Sequence, residues 1–164
     1  MLHLSFLIAS LVLGSAQTPS RTDWRGLSPL KSNRMDVERT LGPPDQNFDN
    51  EHLTYYFPDV VVYFYFTNNP KCREKLPYTS WDVAAGTVTG IDVYLRHPPL
   101  VEETSIDLTK FKKVKSDFDM VDNYYYFNDD NSFSIEAGKK YVRGYHYQPG
   151  STQETLRCKA SNQP

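Results

Sequence analysis

Runs of β-branched and aromatic residues, separated by short turn-forming segments, fill most of the chain between residues 53 and 147. Strands are predicted at residues 53–57, 60–66, 87–95, 124–127, 132–137 and 141–147. Several of the connections are only a few residues long and rich in Gly, Pro, Asn and Asp. Because such short turns join antiparallel neighbours, the sequence predicts an antiparallel sheet of about five to six strands.

Side chains alternate along these strands, so each strand presents two faces of different composition. One face is aliphatic and phenyl, and its members are Val60, Val62, Phe64, Phe66, Ile91, Val93 and Leu95. The opposite face is rich in tyrosine and charge, with Tyr63, Tyr65, Asp92 and Tyr94. We expect Tyr145 and Tyr147 of the last strand to join that second face.

One short helix of about nine residues is predicted before the strands. Ser32 or Asn33 is placed to cap its first turn. Val37 and Leu41 lie four residues apart on one face, Gly42 fits the left-handed position after the last turn, and two prolines prevent continuation. The predicted class is therefore α+β, with a short N-terminal helix packed on one face of the antiparallel sheet.

Residues 29–44 read PLKSNRMDVERTLGPP. This segment resembles the helix signature of the SmpA/OmlA-type (BamE-like) outer-membrane lipoproteins and of β-lactamase inhibitor proteins, and more closely that of an uncharacterised group of exported bacterial proteins. The resemblance implies a helical layer on one sheet face and a partner protein gripped by the open face. It gives Val37, Leu41 and Gly42 structural roles. In contrast to the lipoproteins, no Cys lies near the predicted cleavage point.

The N-terminal residues predict export. Residues 4–13 form an apolar run, and Gly14, Ser15 and Ala16 are small residues typical of a signal-peptidase site. The run is shorter than the roughly 20 residues that span a bilayer. We expect a signal peptide at 1–16, a polar leader at 17–23, one α+β domain at 24–158 and a tail at 159–164. The predicted location is secreted or periplasmic, with no integral membrane span.

Two cysteines, Cys72 and Cys158, are present. In an exported chain the expected state is one disulfide between them, which would tie the C-terminal region to the middle of the domain. The chain lacks a CxxC motif, which argues against a redox or zinc role. The disulfide is therefore predicted to be structural.

Charge and motifs exclude several function classes. The formal net charge is −2, and the sequence shows no basic stripe of the kind found in nucleic-acid binders. The sequence contains no HExxH, GxSxG, P-loop or GxGxxG motif. We therefore predict no cofactor, no metal site and no catalytic residue, and a hydrolase with an unrecognised site ranks only as the third function.

Twelve tyrosines exceed what a core of this size needs, since each buried hydroxyl requires a partner. The ordinary explanation is that tyrosine favours strands and stabilises exposed sheet faces through cross-strand pairs. The functional hypothesis is a surface that binds an envelope or extracellular protein. A glycan-binding or structural envelope module is the alternative. The predicted partner-binding residues are Tyr63, Tyr65, Tyr94, Tyr145 and Tyr147.

Overall fold

The computed structural model describes residues 22–47, 49–68, 72, 81–116 and 122–158. The predicted signal peptide, most of the leader and the C-terminal tail lie outside the described residues. These residues form one α-helix, α1 (Arg34–Leu41), and one antiparallel sheet of eight strands. Short 3-10 helices occur at Val101–Glu103, Leu108–Lys110 and Ser151–Leu156.

The eight strands follow one another in two antiparallel meanders. Their order across the sheet is β1-β2-β3-β4-β8-β7-β6-β5, so the first four and the last four strands meet where β4 pairs with β8. The strands are β1 (Gln46–Asn47), β2 (His52–Tyr56), β3 (Val60–Phe66), β4 (Val88–Leu95), β5 (Lys112–Lys115), β6 (Asn123–Phe127), β7 (Phe133–Gly138) and β8 (Val142–Tyr147).

The predicted α+β architecture, a helix packed on a sheet of five to six strands, is wrong. Each of the six predicted strands is present, but the two that were missed, β1 and β5, form the edges of the sheet. β1 has two residues and β5 reads KKVK with every side chain exposed, so neither shows an apolar alternation. The helix has eight residues and rises only about 12 Å, which is too short to form a layer over eight strands.

The apolar face of the sheet is covered mainly by irregular chain instead of helix. Trp24 contacts Phe64 with ring centroids 6.0 Å apart, and Phe111 contacts Phe133 at 6.4 Å. Both segments that flank the first meander therefore contribute to one core. The partly or fully buried residues that they and the helix supply are Trp24, Leu27, Val37, Leu41, Val101, Ile106, Leu108 and Phe111.

The ends of α1 follow the predicted chemistry. Asn33 is the N-cap, and its side chain accepts a hydrogen bond from the Asp36 N–H while the Asp36 carboxylate accepts one from the Asn33 N–H. The hydroxyl of Ser32 accepts instead from the Ser28 N–H at 3.0 Å. Gly42 adopts a positive φ of 84° and its carbonyl accepts the Tyr55 hydroxyl, which ties the helix end to β2.

The predicted disulfide between Cys72 and Cys158 is confirmed. It anchors the segment that follows β8. Trp81 pairs with Arg157 through an isolated β-bridge beside it, and the Asp82 N–H donates to the Leu156 carbonyl. Among the described residues, no helix is long and apolar enough to cross a membrane.

Replacing both cysteines, Cys72→Ser with Cys158→Ser, is expected to lower the free energy of unfolding by about 4–5 kcal/mol. The disulfide closes a loop with a sequence separation of 86, so its loss raises the conformational entropy of the unfolded chain. Urea unfolding followed by circular dichroism measures the difference. Reduction of the native protein serves as the control and should give the same loss, whereas free thiols in the purified native protein would contradict the prediction.

Candidate functional site

The strand register sorts the five predicted tyrosines onto two faces. Tyr63, Tyr65 and Tyr94 lie opposite Asp92, Gly90 and Gly144, on the face that points away from the apolar core. Tyr145 and Tyr147 lie opposite Val93 and Ile91, on the apolar face.

Tyr147 is only 2% exposed, and Tyr145 stacks on Phe133 within the core. The expectation that all five tyrosines share one face is therefore wrong. The register between β4 and β8 determines which face of β8 points towards the core, and neither strand sequence alone specifies that register. We name the face that carries Tyr63, Tyr65, Tyr94 and Tyr125 the tyrosine face.

A histidine lies between two carboxylates at the centre of the tyrosine face. Asp92 of β4 and His146 of β8 are direct cross-strand partners, and Glu136 of β7 is a diagonal neighbour of His146. The His146 Nδ1 lies 2.8 Å from Asp92 Oδ1, and its Nε2 lies 3.2 Å from Glu136 Oε2. Both ring nitrogens are therefore occupied by carboxylate oxygens.

Two further side chains extend this arrangement across the sheet. The Tyr65 hydroxyl donates to Asp92 Oδ2 at 2.9 Å, and the Asn123 amide donates to Glu136 Oε1 at 2.5 Å. The five residues, which we call the polar network, come from β3, β4, β8, β7 and β6. Every carboxylate oxygen in the network accepts a hydrogen bond, so its geometry is fixed by partners on both sides.

The polar network holds His146 in its protonated form. Burial by itself would lower the His146 pKa, but the hydrogen bonds and charges of Asp92 and Glu136 outweigh it and raise the pKa to about 9. The hydrogen bond from His146 lowers the Glu136 pKa. At neutral pH the site is thus an imidazolium between two carboxylates, with one net negative charge.

This protonation state limits what His146 does chemically. Both of its nitrogens act as donors, so neither carries a lone pair for general-base catalysis. Ser134 lies opposite His146 in the register, but Nε2 is directed to Glu136. The geometry is that of a structural ion pair rather than of a serine–histidine pair.

Aromatic rings enclose the imidazolium from the sides. The rings of Tyr94 and Tyr125 approach His146 edge-on, with centroids 5.7 and 5.3 Å away. Tyr63 in turn packs edge-on against Tyr94 at 5.8 Å. The rings of Tyr63, Tyr94 and Tyr125 therefore form a connected set around His146.

Two glycines make room for these tyrosines. A Cβ on Gly144 would lie 2.7 Å from the Val93 carbonyl oxygen and 3.4 Å from the ring of Tyr94, its cross-strand partner. A Cβ on Gly90 would lie 3.3 Å from the ring of Tyr65. Each tyrosine thus lies across a glycine of the next strand, which lets the Tyr65 hydroxyl reach Asp92.

A cleft of about 320 Å³ opens at one end of the tyrosine face. It lies where the end of β3, the start of β4 and the end of β8 meet the C-terminal segment. Three residues of the polar network, Tyr65, Asp92 and His146, line what we call its inner wall, and we call the lining by Trp81 and Arg157 its outer wall. The polar network is thereby reached from solvent at this end.

Nothing in the sequence marks Asp92, Glu136, His146 and Asn123 as one group. Their signal is a polar or charged residue at an alternate position within an otherwise apolar or aromatic strand. That signal gives the face of each residue but not its neighbours across the sheet. Among the described residues, no group of three or more His, Cys, Asp and Glu side chains is arranged to hold a metal ion.

No protein-family model matches this chain, and neither a curated protein nor a solved structure matches it. The resemblance of residues 29–44 to the exported helix signatures therefore stays a prediction.

The raised His146 pKa predicts a specific dependence of stability on pH. The folded value of about 9 exceeds the ordinary value of 6.5, so its stabilisation is complete below 6.5 and is lost as the pH rises through 9. We expect the free energy of unfolding to fall by about 3 kcal/mol across this window. Urea unfolding at a series of pH values measures the change, and the His146 ring resonances report the pKa directly by NMR.

The variant Asp92→Asn should move the His146 pKa down towards 6.5, because it removes one of the two carboxylates. Asp49→Asn is the control, since Asp49 pairs with His52 at the exposed end of β2. It should leave the His146 resonances unchanged. A native His146 that titrates below pH 7 would contradict the ion-pair assignment.

A methyl group at Gly144 should destabilise the fold. Gly144→Ala places a Cβ against the Val93 carbonyl, and the strand must shift, at a cost of about 1–3 kcal/mol. Gly138→Ala in β7 is the matched control, because its Cβ would meet only the Asp122 carbonyl at an ordinary 3.5 Å. Thermal unfolding of the two variants compares them, and equal stabilities would show that the close approach at Gly144 is easily relieved.

Proposed function

We propose that this protein is a non-enzymatic, exported binding module that engages a partner protein through the tyrosine face. The observation that carries the proposal is the placement of Tyr63 and Tyr94 side by side above the polar network. Tyrosine supplies a large amphipathic contact area with only two side-chain torsions, and it is enriched at the centres of protein interfaces.

Preorganisation supports the same function. Tyr94 packs on His146, which is held by two carboxylates, and Tyr65 is held by its hydrogen bond to Asp92. Side chains that are already ordered lose little entropy when a partner binds. A tyrosine surface of this kind favours binding more than a set of freely rotating tyrosines would.

The state of His146 supports a non-enzymatic role. Its side chain is only 12% exposed, and that of its partner Glu136 is 9% exposed. Both of its nitrogens are paired to carboxylates, so proton transfer would require that an ion pair first break.

The disulfide supports export. Disulfides persist in oxidising compartments and are rare in the cytosol. Together with the apolar run and small residues at positions 4–16, the bond between Cys72 and Cys158 favours a secreted or periplasmic location.

The double variant Tyr63→Ala with Tyr94→Ala should lose the partner protein. Each interface hot spot contributes about 2 kcal/mol or more, so we expect binding at least about 30-fold weaker for each one removed. Oxidised protein is used to capture partners from an envelope extract, and binding of each identified partner is then measured with purified components. Tyr65 is left in place because it belongs to the polar network.

Tyr141→Ala is the matched control. Tyr141 is 48% exposed but lies beside Leu100, outside the tyrosine face. Circular dichroism establishes that both variants fold. Equal binding by the native protein and the folded double variant would overturn the proposal and leave the tyrosines with a structural role only.

A further inference from the structure

The cleft at the end of the tyrosine face has the size of a small-molecule site. Its volume of about 320 Å³ is at the lower end of the range for ligand pockets. It accommodates a single ring-sized molecule rather than an extended peptide. The residues that matter to its chemistry are Tyr65, Trp81, Gly90, Asp92, Gln148 and Arg157.

The outer wall of the cleft is fixed before any ligand arrives. The Arg157 guanidinium lies 4.5 Å above the Trp81 ring, and these two residues are joined by a β-bridge. The next residue, Cys158, is bonded to Cys72. A covalent bond, backbone hydrogen bonds and a cation–π contact thus hold this wall, so the cleft is preformed.

The inner wall offers an oriented hydrogen-bond acceptor. Each oxygen of Asp92 accepts one bond from inside the protein, from the Tyr65 hydroxyl and from His146. A carboxylate has about four acceptor positions, so roughly two remain on Asp92. Its side chain is 22% exposed and lines the cleft, which places these positions within reach of a ligand hydroxyl.

The charges that line the cleft are already paired within the protein. His146 lies between Asp92 and Glu136, and Arg157 makes two hydrogen bonds to Glu154 at 2.7 and 2.9 Å. An anionic ligand would have to compete with Asp92, Glu136 or Glu154 for its cationic partner. An uncharged ligand with several hydroxyls adds hydrogen bonds to the same groups without displacing a partner.

Aromatic surface completes the cleft. This surface is supplied by Tyr65, whose ring lies across Gly90, because Trp81 is only 4% exposed and its ring is covered by the Arg157 guanidinium. Aromatic rings pack well against the C–H surface of a sugar ring, while carboxylate and guanidinium groups bond its hydroxyls. We propose that the cleft binds one uncharged sugar ring of a glycan. This site adjoins the surface of Tyr63 and Tyr94 that is proposed above to engage a protein, and it uses Tyr65 and Asp92 instead of those two tyrosines.

The test is an NMR titration of the oxidised, isotope-labelled protein. The probes are methyl β-glucoside, methyl β-galactoside and N-acetylglucosamine, with lysine amide as a cationic comparison. We expect at least one sugar to give saturable shifts in the backbone signals of Thr89, Gly90 and Gln148 and in the Trp81 indole signal. For a ligand of this size the expected dissociation constant is about 1–10 mM.

Variants separate a specific site from a general surface effect. Asp92→Asn should weaken sugar binding about tenfold or more, because it alters the acceptor that the cleft presents. Asp122→Asn is the matched carboxylate-to-amide control at an exposed position paired with Lys139, and it should bind like the native protein. Gln148→Phe fills the exposed rim of the cleft without touching the polar network, and it should abolish the shifts even if Asp92→Asn perturbs the fold.

Three outcomes would overturn the proposal. The first is the absence of saturable shifts with all three sugars at about ten times the expected dissociation constant. The second is a set of shifts that lie outside the cleft. The third is an equal response to lysine amide, which would assign the cleft to cationic groups. Each readout uses the purified protein alone, so the result is independent of whether a protein partner is found.

Discussion

The pairing of β4 with β8 is the contact on which the whole sheet depends, because it joins the first four strands to the last four. At its centre Asp92 faces His146, and this ion pair is continued by Glu136 on the next strand. An unpaired charge at this depth would be costly, so the ion pairs favour the register in which all three groups meet. A slip by one residue would turn His146 towards the core and leave both carboxylates without it.

The same pairing brings Tyr94 over Gly144 and places Tyr145 and Tyr147 on the core face. Register, core composition and the tyrosine face therefore follow from one contact.

Local chemistry in the sequence predicted the elements whose signals lie within a few residues. The helix with its end at Gly42, the six inner strands and the disulfide are all of this kind, whereas the cap was predicted only as Ser32 or Asn33 and lies at Asn33. The edge strands β1 and β5 were missed because an edge strand need not alternate: the lysines of β5 are exposed on both faces. The class was wrong because irregular segments carrying Trp24 and Phe111, rather than a helical layer, cover the apolar face. Irregular segments lack the periodic alternation of apolar and polar residues from which helices and strands are predicted.

The residues of the tyrosine face on β3 and β4 could be predicted from the sequence, but the contacts between strands that build the site could not. Alternation within β3 and β4 placed Tyr63, Tyr65 and Tyr94 on one face, and the structure agrees. The polar network draws its five residues from five strands, and the neighbours of each depend on long-range pairing that a single sequence does not display. Tyr145 and Tyr147 show the limit most clearly. Their strand alternates as regularly as the others, yet tyrosine is amphipathic, so its presence does not indicate which face of the strand is exposed to solvent. In this strand Tyr147 is buried, Tyr145 is partly buried against the same core, and His146 between them lies on the opposite face.

The distance along the chain between the two central strands also governs when the sheet forms. Asp92 and His146 are 54 residues apart, so β4 leaves the ribosome, and then the export channel in the proposed pathway, well before its partner. During that interval its free edge, with the sequence VTGIDVYL, is open to pairing with other chains. Contacts of such separation form slowly because a long loop must close first. The local hairpins of each meander can therefore pair before the midline of the sheet closes, and until it closes β4 and β8 each present an unpaired edge.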